Sequence, residues 1–155
     1  MILEVRKYPD EILKRRAKKV DEITPEIKEL IFNMAETLRQ TQGSGLAANQ
    51  VGVSRRVIIV GFQEGPKAFL NPEIVKKSKE KNLEEEGCLS LPGLYLKIKR
   101  AQKIDIVALD SEGKQVKLSL SGMTARIFQH EIDHLNGILL INKIPFWKKW
   151  KLLKR

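Results

Sequence analysis

Two kinds of apolar periodicity divide the chain. Near the start, residues 9–20 predict a short helix that carries Ile12 and Leu13 inward. A longer helix opens at Thr24, a capping hydroxyl followed by Pro25 in the first turn and Glu26 near the positive dipole end. From there Ile27, Leu30, Ile31, Met34, Ala35 and Leu38 make one apolar stripe at helical spacing, which is core architecture. Gly43-Ser44-Gly45 ends it. The period then shortens to two, and runs at 68–71, 73–77, 94–99, 103–109 and 115–120 read as strands, with an apolar run at 57–62 before them. Asp110-Ser111-Glu112-Gly113 is a turn between the last two runs, so these pair as a hairpin. Helical spacing returns over 122–136, stopped by Gly137 in the C-terminal position. The pattern specifies an α+β fold of mostly antiparallel sheets, packed around the later helix, with a helical pair at the N-terminus.

Composition narrows the function classes. At 155 residues, with 42% apolar and no repeat or Gly/Ser linker, the chain is one domain with room for a proper core. No run approaches the roughly 18 apolar residues of a membrane helix. The first residues lack the basic–apolar–small order of a signal peptide, so a cytoplasmic protein without membrane contact is expected. One cysteine excludes an internal disulfide; in a reducing compartment it is a buried thiol, a nucleophile or a metal ligand. The net charge of +10 favours phosphate or acidic surfaces, though a solvated lysine-rich surface gives the same number.

Residues 130–134 read HEIDH, and the two histidines are the only ones in the chain. Four positions apart on a helix, both imidazoles face one ion, while Glu131 lies beside them as a proton acceptor for a water that the ion acidifies. A catalytic ion needs a third protein ligand. Downstream of His134 there is no Asp, Glu, His or Cys, so the ligand comes from upstream. Asp133 is too close to His134 to bind comfortably and is read as supporting a ligand by hydrogen bonding rather than binding the ion itself. Cys88, in EEEGCLSLPG, is the candidate; one Cys with two His leaves a fourth position open, which is the catalytic condition. Glu84, Glu85 and Glu86 disfavour a bare thiolate there, and a bound cation answers that. The run GSGLAANQVG at 43–52 permits close backbone approach, and the Gln50 amide can donate to a developing oxyanion.

Together GSGLAANQ at 43–50, EGCLS at 86–90 and QHEIDHLNG at 129–137 resemble, in order and spacing, the three motifs of peptide deformylases. YPDEIL at 8–13 and Arg100 fit that pattern, and the similarity runs over residues 2–144. The resemblance implies removal of the N-formyl group from the initiator methionine of nascent chains by a catalytic domain over residues 1–147. It implies Cys88, His130 and His134 as metal ligands, Glu131 as general acid/base, and Gln50 with the Leu89 N–H as the oxyanion hole. It implies ferrous iron as the usual ion, with zinc, nickel or cobalt able to take its place; the ligand set does not choose among them. Substrate is expected to add as a strand beside Ser44, Gly45 and Gly87, with Met123, Ile127 and Leu94 around the methionine. For these apolar residues, core packing is an equal alternative. Arg126 either rims the site or pairs with an acid such as Glu84.

Residues 148–155 form a short basic tail. Phe146, Trp147, Trp150 and Leu153 fall on one helical face, which suits either ribosomal RNA or packing onto the chain's own domain. Two rival functions remain at this level: a peptidase that cuts internal bonds, and a basic nucleic-acid- or ribosome-binding module without catalysis.

Overall fold

The computed structural model describes residues 1–153. Helix α1 (Pro25–Thr41) opens as read: the Thr24 hydroxyl accepts from the Ile27 N–H at 3.3 Å. The segment 9–20 is not a helix. It makes one 3-10 turn, Glu11–Lys14, with the Asp10 carboxylate accepting from the Ile12 N–H, and Arg15 is already extended. Backbone groups that would continue the helix bond elsewhere: the Ala17 N–H donates to the Leu135 carbonyl at 2.8 Å, and Lys18 bridges to Arg55. The N-terminal pair is therefore one helix and one turn, and the extended piece braces the end of the later helix.

Five antiparallel strands form the main sheet, in the order β1 (Gly45–Ala47), β2 (Val57–Phe62), β3 (Gly65–Lys77), β6 (Lys103–Leu109) and β7 (Gln115–Ser121). The β6–β7 hairpin turns where the sequence predicts. The runs 68–71 and 73–77 are one strand, interrupted by a register shift between Leu70 and Glu73. Asn71 there has φ 52° and ties itself to Val20 by two hydrogen bonds, while Pro72 brings no N–H to the ladder. A separate hairpin pairs β4 (Lys81–Cys88) with β5 (Leu91–Ala101). Of β4's eight residues only Glu86 is buried, so apolar periodicity gave no warning of it.

Helix α2 (Gly122–Leu135) lies on one face of the main sheet, burying Ala125, Phe128, Ile132 and Leu135 against Ile58, Val60, Phe69 and Ile106. The Phe69 and Phe128 rings meet edge to face at 5.0 Å. On the other face α1 packs Leu30, Met34 and Leu38 over Leu46, Val57, Ile59 and Leu70. Gly137 follows α2 at φ 74°, and a Cβ there would lie 2.5 Å from the Lys14 carbonyl oxygen; both facts require glycine. Arg56 completes this helix end, donating to the Leu135 carbonyl and Asn136 Oδ1, each at 2.9 Å. A last helix, α3 (Phe146–Leu153), buries no residue, and Trp147 and Trp150 are 65% and 58% exposed. The aromatic face is not folded under the domain. Among the described residues no helix is long and apolar enough to cross a membrane.

Candidate active site

α2 presents His130 and His134 on one face, their Nε2 atoms 3.2 Å apart, and the end of β4 brings Cys88 Sγ to 3.3 Å from His134 Nε2. The three donor atoms all lie within 4.8 Å of one another. Tetrahedral bonds of about 2.3 Å to sulfur and 2.1 Å to nitrogen would put S···N near ~3.6 Å and N···N near ~3.4 Å. The two separations at His134 lie within about 0.3 Å of these values and the third pair lies within 4.8 Å, so the set can close on one divalent cation. Burial, and then the charges of His130 and Arg100, push His134 well below the usual histidine range, so its imidazole is neutral and ready to bind. His130 is opposite. Burial disfavours its charge, but contacts with Cys88 and Glu86 and the charge of Glu131 outweigh burial and raise it to about 10. A cation entering the site competes with that proton.

Glu131 is 4% exposed, and its Oε1 has no hydrogen-bond partner. Burial raises its pKa to about 7, the nearby His130 and Arg100 charges partly opposing. A buried carboxyl poised near neutrality with one unpartnered oxygen is suited to receive and return a proton. Its Oε2 lies against Gly45, where a Cβ would come within 2.7 Å. The glycine of β1 thus makes room for the acid of α2.

Gln50 sits in a 3-10 turn (Ala48–Val51) with its Oε1 accepting from the Ala47 N–H at 2.9 Å. That bond leaves Nε2 facing the centre, 3.1 Å from Ser90 Oγ and 3.7 Å from Cys88 Sγ. Ser90, fully buried, holds the amide in this orientation and was given no role from sequence. Asn49 donates to the His134 carbonyl from the same turn. Leu89 follows Cys88 on the cleft wall.

Around the donors lies a charged cluster that sequence reasoning read only in fragments. Glu86 accepts from Arg100, Arg126 and His130 Nδ1, the last at 2.9 Å. Arg126 thus pairs with Glu86 and not with the exposed Glu84. Asp133 acts one step further out, binding Arg100 at 2.6 Å and not an imidazole. Burial would raise the Glu86 carboxyl, but hydrogen bonds from His130 and Arg100, with their charges, hold it at about 2. Ionised, it accepts from His130 Nδ1 and so orients that ring with Nε2 towards the other two donor atoms.

A cleft of about 600 Å³ opens over these groups, and Ser44, Gly45, Gly87, Leu94, Met123 and Ile127 are among its lining residues. β1 is an edge of the main sheet and β4 an edge of the hairpin, so two strand edges flank the cleft. The Ser44 carbonyl accepts from the Gly61 N–H, and Gly87 lies under the Tyr95 ring. Met123 is 64% exposed and Ile127 half-buried, consistent with a wall open to solvent.

A family sequence model described as polypeptide deformylase matches residues 2–150. A peptide deformylase of Dictyoglomus turgidum is 48% identical over 143 residues, covering 92% of this chain and 93% of the relative. The crystal structure of peptide deformylase from Thermotoga maritima superposes with a TM-score of 0.90 at 40% identity, covering 94% of this chain and 99% of that one. The Ehrlichia chaffeensis peptide deformylase in complex with actinonin gives a TM-score of 0.94 at 36% identity, covering 99% of this chain and 94% of that one.

Proposed function

The chain belongs to the polypeptide deformylase family, and from that premise we propose that its cleft hydrolyses the N-formyl group of formyl-methionine on newly made polypeptides, releasing formate. One observation carries the residue assignment: Cys88, His130 and His134 converge beside the unpartnered Oε1 of Glu131 and the Nε2 of Gln50. Cys88, His130 and His134 would hold the cation, ferrous iron by preference, with zinc, nickel or cobalt compatible with the same donors. A cation held there supplies Lewis acidity, making water a better nucleophile and polarising the formyl carbonyl.

The chain's own groups do the rest. Glu131 accepts a proton from the attacking water, whose oxygen adds to the formyl carbon. Negative charge then develops on the formyl oxygen, and the Gln50 Nε2–H and Leu89 N–H donate to it; losing one such donor costs on the order of 3 kcal/mol of transition-state stabilisation. As the C–N bond breaks, Glu131 returns the proton to the leaving amine, giving formate and a free N-terminus. The peptide main chain pairs with the strand edges at Ser44–Gly45 and Gly87, and the methionine side chain lies against Met123, Ile127 and Leu94. A lone thiol ligand suits the cytoplasm, where thiols stay reduced.

The test is anaerobic purification, metal analysis, and formate release from formyl-Met-Ala-Ser by wild type and Glu131→Gln. The variant is expected to keep its metal and lose at least a hundredfold in kcat. Formate release by the variant at the wild-type rate would remove Glu131 from its role. Cleavage of unformylated peptides without formate would favour the internal-bond peptidase instead. Actinonin, which the Ehrlichia chaffeensis neighbour binds, is expected to compete with the formyl-peptide here.

A further inference from the structure

The α2 face that carries His130 carries a second charged side chain one turn earlier, Arg126, which the deformylation chemistry leaves without a role. Its guanidinium is 4% exposed and reaches four acceptors of the β4–β5 hairpin: Glu86 Oε2, the Ile98 carbonyl at 2.8 Å, and the Asn82 carbonyl at 2.8 Å and Oδ1 at 3.2 Å. Glu86 accepts from four donors. Its Oε1 takes His130 Nδ1 and Arg100 Nη2, each at 2.9 Å, and its Oε2 takes Arg100 Nε at 2.8 Å and Arg126 Nη1. A carboxylate offers about four acceptor sites, so Glu86 is saturated and fixed in rotation. Two of the donors, Arg126 and His130, stand four residues apart on α2. The helix grips one carboxylate at two points, and that carboxylate lies two residues before Cys88.

We infer that Arg126 is a positioning residue for the metal centre: through Glu86 it sets the ring orientation of His130 and the separation of β4 from α2 at which Cys88 meets the imidazoles. The inference rests on the metal-binding reading above. Donation from His130 Nδ1 to Glu86 fixes the tautomer that leaves the Nε2 lone pair for a cation. Remove the guanidinium, and one Glu86 site, the buried Ile98 carbonyl and the part-buried Asn82 oxygens lose this donor. The hairpin is then tied to α2 by His130 on Glu86, by Arg100 on Asp133 and by Gln129, which bridges to the Ala101 backbone at 3.3 and 3.0 Å.

Wild type, Arg126→Met, Glu86→Gln and the double variant are each titrated with Co²⁺ against a chromophoric chelator, and the cobalt d–d absorption is recorded. Wild type must bind one equivalent; if it does not, the metal-binding reading itself fails, whatever the variants do. Arg126→Met is expected to weaken Co²⁺ binding about 10–100-fold and to change the d–d spectrum. In the Glu86→Gln background the same substitution is expected to add less than about threefold, because its route to the ion is already cut. Wild-type affinity and spectrum in Arg126→Met would overturn the inference, as would an equal loss in both backgrounds. Should Arg126→Met fail to fold, Arg126→Lys decides. It keeps the charge but not the fork, and a loss of about three- to tenfold with an altered spectrum is expected; unchanged values would overturn the inference.

Discussion

Glu131 and Gly45 show how tightly residue identity is set in the proposed catalytic cleft. The carboxylate is buried with one oxygen unpartnered, a costly arrangement that close packing around it constrains. Gly45 is one of those constraints, since a methyl group there would stand 2.7 Å from Glu131 Oε2 and 2.9 Å from its Cγ. The Glu131 side chain can swing aside, so Gly45→Ala is expected to fold and bind metal normally while kcat/KM falls at least about tenfold. A Gly45→Ala enzyme with wild-type turnover would mean that the carboxylate tolerates displacement. At this scale the sequence was most legible, because HEIDH, the lone Cys88 and Gln50 are unusual residues at unusual spacings. Ser90 and the partner of Arg126 were not legible. Their meaning depends on contacts between residues some 40 positions apart, which no local pattern encodes.

Among the elements, those with an apolar face were the readable ones: α1, α2 and the β6–β7 hairpin lie where periodicity puts them. β1 is three residues long, too short for a period to register, and β4 is polar nearly throughout. The turn at Glu11–Lys14 was misread because Ile12 and Leu13 suggested a helix, whereas Asp10 caps only one turn before the chain is drawn to Leu135 and Arg55. β4 is held to α2 by ions instead of apolar contact, and this has a consequence in acid. Glu86 has its pKa depressed from 4.5 to about 2. Its ionised form therefore contributes stability that is full above pH 4.5 and lost as pH falls from there to about 2. The shift corresponds to about 3 kcal/mol. Urea unfolding of the metal-free protein across that window is expected to show wild type losing about this much more stability than Glu86→Gln. Parallel acid limbs in the two proteins would assign the acid sensitivity to other carboxylates.

The whole molecule is polarised between a structured cleft and a basic, aromatic end. α3 presents Phe146, Trp147 and Trp150 outward and places Lys148, Lys149 and Lys151 beside them, and of the 148–155 tail only Lys154 and Arg155 lie outside the described residues. Exposed indoles cost solvation unless they are covered in use, and lysines among them favour a partner that offers both phosphates and flat apolar rings. Ribosomal RNA at the site where nascent chains emerge has both, and proximity there would shorten the search for formylated N-termini. We expect deletion of residues 148–155 to weaken co-sedimentation with ribosomes while leaving kcat/KM on short formyl-peptides unchanged, because α3 adds no residue to the cleft lining. The salt dependence separates this from a general effect of the +10 charge. If the tail lysines meet phosphates, the slope of log K against log salt should become shallower by roughly 0.7–0.9 for each contact removed. Trp147→Ala combined with Trp150→Ala should weaken binding while leaving that slope unchanged. Co-sedimentation that is the same with and without the tail would place the contact on the folded domain, or nowhere on this chain.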